Sequence, residues 1–324
     1  MPNVSNVVKS IQDIMRKDAG VDGDAQRIGQ LGWMLFFKIF SDLEIETELE
    51  DDDYESPVPP HLRWNAWANE DLVGTEAPTG DQLLDLVDNS LFPTFKDLNV
   101  AQFTGKARQR AELLRSVFED AYNYMKSGTL MRQVINRINH DIDFNQSRTR
   151  HLFGDIYEQI LRDLQGAGNA GEFYTPRAVT EYMAKMIQPK IGERMADFAC
   201  GTGGFITSWL NELAPLITTT EDQTEYDDSI YGMEKKQFPY MLCVTNMLLH
   251  GLDTPRIYHG NSLLHDVLDY TEDDQFDVIL MNPPYGGSEK ADVKNHFPSD
   301  LASSETADLF MSVIMYRLKK NGRA

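Results

Sequence analysis

The segment Asn282-Pro283-Pro284-Tyr285 has the residue types and spacing most specific for chemistry in this chain. It follows an apolar run that predicts a β-strand over residues 277–281. Two prolines fix the backbone after the strand and cannot donate hydrogen bonds, so the turn presents acceptors. The Asn282 side-chain oxygen and the Pro283 carbonyl can accept from an exocyclic amino group, while Tyr285 offers a ring on which a planar base stacks. A rigid strand-to-loop turn without chemistry is the alternative interpretation.

The glycine-rich segment after Asp197 is a second candidate site. Gly201, Thr202, Gly203 and Gly204 lie between a predicted strand and a predicted helix, where glycine allows a tight turn and close approach by a ligand. Their order departs from the G-x-G-x-x-G pattern of dinucleotide sites. Asp197 can pair with a cationic ligand, and S-adenosylmethionine carries a sulfonium and an amino group. The segment therefore predicts a site for S-adenosylmethionine, with a structural strand-to-helix connection as the alternative.

Two polar residues follow the next predicted strands. Glu234 ends the strand Tyr231-Gly232-Met233-Glu234, where a carboxylate can accept hydrogen bonds from both ribose hydroxyls of a cofactor. Asn261 follows the predicted strand over residues 255–259 and is expected to contact the cofactor's adenine. An exposed loop carboxylate and a turn-forming asparagine are the alternatives.

A further cofactor segment precedes the first predicted strand, and its residues are Glu172, Phe173, Tyr174, Thr175, Pro176 and Arg177. Thr175 is predicted as the N-cap and Pro176 as the first residue of a helix that reaches about Ile187. A helix N-terminus attracts carboxylates, and S-adenosylmethionine carries one. A simple capped helix is the alternative.

The composition favours a globular protein that does not hold nucleic acid alone. The 324 residues are 41% hydrophobic and 25% charged, with a formal net charge of -21. Because phosphate neutralisation dominates affinity for DNA, this charge suggests that another protein holds the nucleic acid, although a plain acidic surface would look the same. The two cysteines, Cys200 and Cys243, suit neither a disulfide framework nor a metal site. Apolar runs are too short to cross a bilayer and no signal-peptide pattern is visible, so a cytoplasmic protein is expected.

The chain is predicted to contain an all-α domain over residues 1–143 and an α/β domain with a parallel sheet over residues 144–324. In the first domain, the acidic run 44–55 and the Pro-rich segment 56–60 are predicted as loops. The basic stretch 132–150, the densest besides residues 106–115, is predicted as helix surface, with contact to DNA or a partner as the alternative. In the second domain, strands are predicted at four places: residues 194–199, 229–233, 255–259 and 277–281.

The order of these motifs resembles the modification (M) subunit of type I restriction-modification enzymes, over nearly the whole chain. The motifs are Glu-Phe-Tyr-Thr-Pro-Arg, Asp-x-x-x-Gly-Thr-Gly-Gly, Gly-Met-Glu, Gly-Asn-Ser-Leu and Asn-Pro-Pro-Tyr. The resemblance implies a Rossmann-like, S-adenosylmethionine-dependent DNA adenine-N6 methyltransferase preceded by an all-α domain. It implies that residues 172–177, 201–204 and 234 line the cofactor, and that residues 282–285 hold the target adenine.

The resemblance also implies partners: duplex DNA, a second M subunit, a specificity (S) subunit that reads the DNA, and a restriction (R) subunit. Residues 318–324 look like the lead into a fifth strand, so the chain is expected to stop before that strand and to lack the strands that follow. Two other functions stay open. A protein-glutamine methyltransferase would present a similar amide NH2 to the same turn, and the chain alone would also suit a non-catalytic assembly or DNA-clamping module.

Overall fold

Residues 4–69, 77–141, 175–285, 289–290 and 292–324 are described by the computed structural model of this chain. The chain divides into two units, Met1–Ala170 and Gly171–Ala324. The predicted boundary at residues 143 and 144 lies outside the described residues and stays a prediction. No helix within the described ranges is long and apolar enough to span a membrane.

The first unit is helical, as the apolar spacing predicts. Its α-helices are α1 (Val4–Met15), α2 (Gly23–Glu50), α3 (Trp64–Trp67), α4 (Gly80–Asp85), α5 (Phe92–Lys96), α6 (Gly105–Glu119) and α7 (Gly128–Asp141). A π-helical turn, Leu86–Leu91, joins α4 to α5. The core is aromatic: Phe37 lies 5.1 Å from Phe95 and 5.9 Å from Phe118, between ring centroids. Such rings bury a large apolar area, which stabilises the unit.

Two predictions for this unit are wrong. The acidic run does not begin as a loop, because α2 continues to Glu50 and buries Glu44 completely. The basic stretch 132–150 is not simply helix surface either, since Arg132 is 8% exposed, and its residues 142–150 lie outside the described residues. Arg110, in the other basic stretch, is fully buried. Arg110 forms an ion pair with Glu44, and Arg132 donates to the main-chain carbonyls of Ala68 and Pro78. Tertiary partners thus make burial of these charges tolerable.

The second unit is a parallel five-stranded sheet in the order β3-β2-β1-β4-β5. The strands are β1 (Met195–Asp197), β2 (Ile230–Glu234), β3 (Ile257–His259), β4 (Phe276–Ile279) and β5 (Leu318–Arg323). The α-helices are α8 (Arg177–Ile187), α9 (Gly204–Leu213), α10 (Thr220–Asp227), α11 (Gln237–Leu249) and α12 (Thr306–Arg317). The predicted α/β class is confirmed, and the four predicted strands occur near their expected positions.

The fifth strand corrects the expectation that the chain stops before it. β5 pairs in parallel with β4, aligning Phe276 with Leu318 and Val278 with Arg323 across an irregular register. The sequence Leu-Lys-Lys-Asn-Gly-Arg lacks the apolar pattern of a buried strand, so it was not predicted. It is held by acidic partners: Lys319 lies 2.8 Å from Asp277, and Arg323 makes hydrogen bonds of 2.8 and 2.9 Å to Glu193.

Candidate active site

The carboxyl ends of four neighbouring strands bring most of the predicted site residues to one edge of the sheet. Asp197 ends β1 and Glu234 ends β2, while Asn261 and Asn282 come shortly after β3 and β4. β1 pairs with β2 on one side and with β4 on the other. The chain therefore reverses its strand order at β1, and in open α/β sheets ligands bind at such a switch point.

The glycine turn has a backbone that larger residues would not adopt. Gly201 has φ 54° and Gly203 has φ 82°, both in the left-handed region that favours glycine. A Cβ atom on Gly203 would stand 2.8 Å from Cys243 Sγ on α11. Asn246, also on α11, donates from Nδ2 to the Thr202 carbonyl at 3.3 Å. The turn is thus packed closely against α11, which leaves its other side for a ligand.

Glu234 joins the end of β2 to the glycine turn. Its carboxylate is 8% exposed, and it accepts hydrogen bonds from the backbone N–H groups of Gly201 at 2.9 Å and Lys236 at 2.8 Å. Burial raises the pKa of this carboxyl, against the opposing effect of those two hydrogen bonds. A carboxylate has more lone pairs than these two donors use, so a hydroxyl of a ligand can also donate to it.

Asp197 is a second buried carboxyl at this edge. It is 1% exposed and accepts a hydrogen bond from Ala199 N at 3.1 Å. The pKa of Asp197 is raised to about 8. Burial is the largest cause, the hydrogen bond from the Ala199 N–H opposes the rise, and the charge of Glu234 adds to it. A cation bound beside Asp197 would favour the ionised form and stabilise both charges.

The helix after the predicted cofactor segment begins one residue later than expected. Thr175 is not its N-cap: α8 begins at Arg177 and Pro176 is the N-cap residue, with an extended ψ of 132°. The Pro176 carbonyl accepts from the N–H groups of Val179 at 2.9 Å and Thr180 at 3.2 Å. Glu172, Phe173 and Tyr174 lie outside the described residues, so their predicted contacts with the cofactor stay predictions.

Arg177 connects the start of α8 to the start of α9. Its Nη1 atom donates to Thr207 Oγ1 at 2.6 Å. A Cβ atom on Gly204 would lie 3.4 Å from Arg177 Nη1 and 3.4 Å from Thr180 Cγ2. Arg177, the last residue of the predicted segment, therefore lies beside the glycine turn, although Arg177 and Thr207 are 30 positions apart in the sequence.

The Asn-Pro-Pro-Tyr turn projects polar and aromatic groups outward. Asn282 is exposed, and its Nδ2 atom donates to Thr175 Oγ1 at 3.3 Å. Pro283 is half-buried, Pro284 is exposed, and Tyr285 is 81% exposed. The amide oxygen of Asn282 and the ring of Tyr285 are thus presented where a planar base could meet them.

Asn261 forms a turn, since its Oδ1 atom accepts from Leu263 N at 3.1 Å. This hydrogen bond is the one that a turn-forming asparagine makes, and the contact of Asn261 with a cofactor adenine stays a prediction. Sequence reasoning missed two supporting residues. Ser262, which belongs to the Gly-Asn-Ser-Leu motif, donates to the Phe198 carbonyl at 2.6 Å. The Arg317 guanidinium lies 4.9 Å from the Phe198 ring centroid. Arg317 carried no sequence signal because its contacts come from distant parts of the chain.

Comparisons with protein families agree with both units. The family described as N-6 DNA Methylase matches residues 148–324, and the HsdM N-terminal domain matches residues 4–138. The chain is 53% identical to the type I restriction enzyme EcoEI methylase subunit of Escherichia coli, over 99% of this chain and 64% of that protein. It is 29% identical to the MpnII methylase subunit of Mycoplasma pneumoniae, over 57% of this chain and 36% of that protein. The chain thus spans less than two thirds of the length of these relatives.

Solved structures share the fold. A crystal structure of a modification subunit from Vibrio vulnificus matches with a TM-score of 0.81 and 36% identity, over 98% of this chain and 67% of that one. A chain from a study of complex assembly in the type I R-M system matches with a TM-score of 0.82 and 32% identity, over 98% of this chain and 61% of that one. These matches confirm the resemblance drawn from the order of the motifs, and this chain belongs to the N-6 DNA methylase family.

Proposed function

We propose that this chain contributes the cofactor and base sites of a type I modification subunit, which transfers the methyl group of S-adenosylmethionine to adenine N6 in duplex DNA. The observation that carries this proposal is the convergence of the Asn282 turn, Glu234 and the glycine turn at one sheet edge. Membership of the N-6 DNA methylase family supports the same reaction.

The residues at the edge fit S-adenosylmethionine, which supplies an electrophilic methyl group when bound. Glu234 is a buried carboxylate that can accept from ribose hydroxyls, and Asp197 is a buried carboxyl that can pair with an amino group. Gly201 and Gly203 permit close approach of the backbone to a ligand. Arg177 and the segment before it are assigned to the methionine part, because the start of α8 lies beside the start of α9.

Asn282 and Pro283 are the acceptors for the amino group of the target adenine. Hydrogen bonds from both N6 hydrogens to the Asn282 side-chain oxygen and the Pro283 carbonyl localise the nitrogen lone pair. With S-adenosylmethionine bound, that lone pair would attack the methyl carbon as the C–S bond breaks, so S-adenosylhomocysteine would leave and N6 would lose one proton to solvent. No covalent enzyme intermediate is needed. Tyr285, at 81% exposure, provides a face on which the extruded base stacks.

The proposed assembly contains a second M subunit, a specificity subunit and a restriction subunit, with duplex DNA as the substrate. The net charge of -21 supports a separate subunit that reads and holds the DNA. One similar solved chain comes from a study of complex assembly in the type I R-M system, which supports a role for this chain within a complex.

A crossed pair of substitutions tests the function. Asn282→Ala should lower methylation of unmethylated genomic DNA, by the subunit assembled with its specificity subunit, about a hundredfold or more to a small residual rate, while calorimetry shows unchanged affinity for S-adenosylmethionine. Glu234→Ala should instead weaken cofactor binding roughly tenfold or more, because a hydrogen bond to a charged group contributes about 1.5–3 kcal/mol. Glu225→Ala, at an exposed glutamate of α10, is the matched control.

The opposite pattern contradicts the proposal. If Asn282→Ala leaves DNA methylation intact, the turn does not hold the base. If the wild-type assembly methylates glutamine in added proteins and not adenine in DNA, the alternative of a protein-glutamine methyltransferase is correct. If the wild-type assembly binds the cofactor and DNA but methylates neither acceptor, the chain is an assembly module.

A further inference from the structure

The hydrogen bond between Asn282 and Thr175 assigns a role to a residue that sequence reasoning placed only in the cofactor segment. We propose that Thr175 is a positioning residue, whose hydroxyl holds the Asn282 amide so that the amide oxygen faces the amino group of the substrate. This inference rests on the proposed function and deepens it. It gives Thr175 an effect on the base site that is separate from any contact with the cofactor.

The contact joins two segments that are far apart in sequence. Asn282 follows β4, Thr175 precedes α8, and the two residues are 107 positions apart with 3.3 Å between Nδ2 and Oγ1. Asn282 is exposed, and among the residues that the structure describes Thr175 is the hydrogen-bond partner of its side chain. An exposed side chain without such a contact samples several rotamers, and fixing one of them costs conformational entropy.

Thr175 is the better anchored partner of the two. The next residue is Pro176, whose ring fixes its own φ. Its carbonyl accepts from the N–H groups of Val179 and Thr180 in the first turn of α8. Arg177 then ties this helix start to Thr207 at 2.6 Å. The Thr175 carbonyl oxygen would lie 3.9 Å from a Cβ atom on Gly204, so this backbone packs against the glycine turn. Thr175 can therefore direct Asn282, which stands on a loop.

The polarity of the amide makes its direction matter for the reaction. Asn282 has a donor at Nδ2 and an acceptor at Oδ1, while the amino group of a base offers two donors. In the observed arrangement Nδ2 donates to Thr175, so Oδ1 remains available to the amino group. A reversed amide could accept from the Thr175 hydroxyl instead, but it would set Nδ2 against the amino group, where two donors face each other and neither is satisfied. The hydroxyl therefore fixes the position of the amide, and the amino group of the base favours the observed direction.

Removing and restoring the hydroxyl tests this role. Thr175→Val keeps the shape of the side chain but has no hydroxyl, whereas Thr175→Ser keeps the hydroxyl. In the subunit assembled with its specificity subunit, on unmethylated genomic DNA, Thr175→Val should lower kcat about five- to tenfold, the effect of one neutral hydrogen bond. Thr175→Ser should stay within about twofold of wild type. Because Thr175 also belongs to the cofactor segment, kcat is measured at saturating S-adenosylmethionine, and calorimetry gives the Kd of both variants separately.

A double-variant cycle separates positioning from other effects. Thr175→Val should cause no further loss of residual methylation when it is added to Asn282→Ala, because the hydroxyl acts through Asn282. A further loss of the same size in that background overturns the inference, and so does a raised Kd for S-adenosylmethionine at unchanged kcat. Both of those results leave the proposed function standing. Full methylation by Asn282→Ala alone would instead overturn the proposed function together with this inference.

Discussion

The helical unit and the sheet unit each bury carboxylates, and they treat them differently. In the helical unit, Glu44 accepts from Arg110 at 3.0 Å, from Tyr54 at 2.8 Å and from Ser56 at 2.5 Å. In the sheet unit, Asp197 accepts from the backbone N–H of Ala199, and Glu234 accepts from the backbone N–H groups of Gly201 and Lys236. The first carboxylate is matched by a buried cation, whereas the other two accept their hydrogen bonds from peptide N–H groups, and the charge of Lys236 also acts on Glu234.

This difference separates a structural charge from charges that suit a ligand. Burial raises the pKa of Glu44, but Arg110, Ser56 and Tyr54 all oppose that rise. Burial raises the pKa of Asp197 to about 8 with one opposing N–H group. A cationic or hydroxyl-bearing ligand would therefore relieve the electrostatic cost at the sheet edge, whereas Glu44 has its partners within the fold.

The largest expected effect comes from breaking the buried pair. Arg110→Ala should lower the free energy of unfolding of the helical unit by about 3–5 kcal/mol, because it leaves Glu44 buried without its cation. Chemical denaturation followed by circular dichroism measures this loss. Arg108→Ala is the control, since Arg108 is on the same helix and pairs with Glu112 at the surface. The control should lower the free energy of unfolding by about 0.5 kcal/mol or less. Equal losses in the two variants would show that the buried pair stabilises the unit no more than the surface pair does.

A smaller effect is expected at the glycine turn. Gly203→Ala introduces a Cβ atom 2.8 Å from Cys243 Sγ at φ 82°, whereas Gly251→Ala introduces one in open space at φ 84°. Both variants pay the same backbone strain, so their difference isolates the clash, which should cost about 1–3 kcal/mol more at Gly203. Denaturant midpoints measure the difference. Equal destabilisation would mean that the turn is loosely packed.

Per pH unit, the smallest of these changes in the free energy of unfolding comes from the protonation of Asp197. The pKa of Asp197 rises from 3.8 to about 8 on folding, so the folded state holds a proton that the unfolded state has lost between those values. The free energy of unfolding should therefore fall as pH rises from about 4 to 8, by at most about 1.4 kcal/mol per pH unit from this group. Asp197→Asn should reduce that slope in denaturation measured across the range. An unchanged slope would show that Asp197 is not protonated in the folded unit.

Much of the site was readable from local sequence, and particular residues show the limit. Asn282 and Glu234 follow apolar runs that predict strands, and Gly201 to Gly204 mark a turn, because each signal depends on a few adjacent residues. The burial of Glu44 was missed because its partner, Arg110, is 66 residues away. The predicted start of α8 was one residue too early, because Pro176 adopts an extended ψ that the Thr-Pro pattern does not reveal.

The sequence by itself determined the α/β class, the four site strands and the order of motifs that marks the family. The class and the strands follow from residue periodicity and turn chemistry, which act over short stretches of chain. The family follows from the resemblance of the motifs and their order. Only the tertiary structure decided that β5 joins β4, that Arg110 is buried beside Glu44, and that Thr175 meets Asn282. Each of these contacts joins residues far apart in the chain, and such pairing depends on packing and charge compensation in the folded unit.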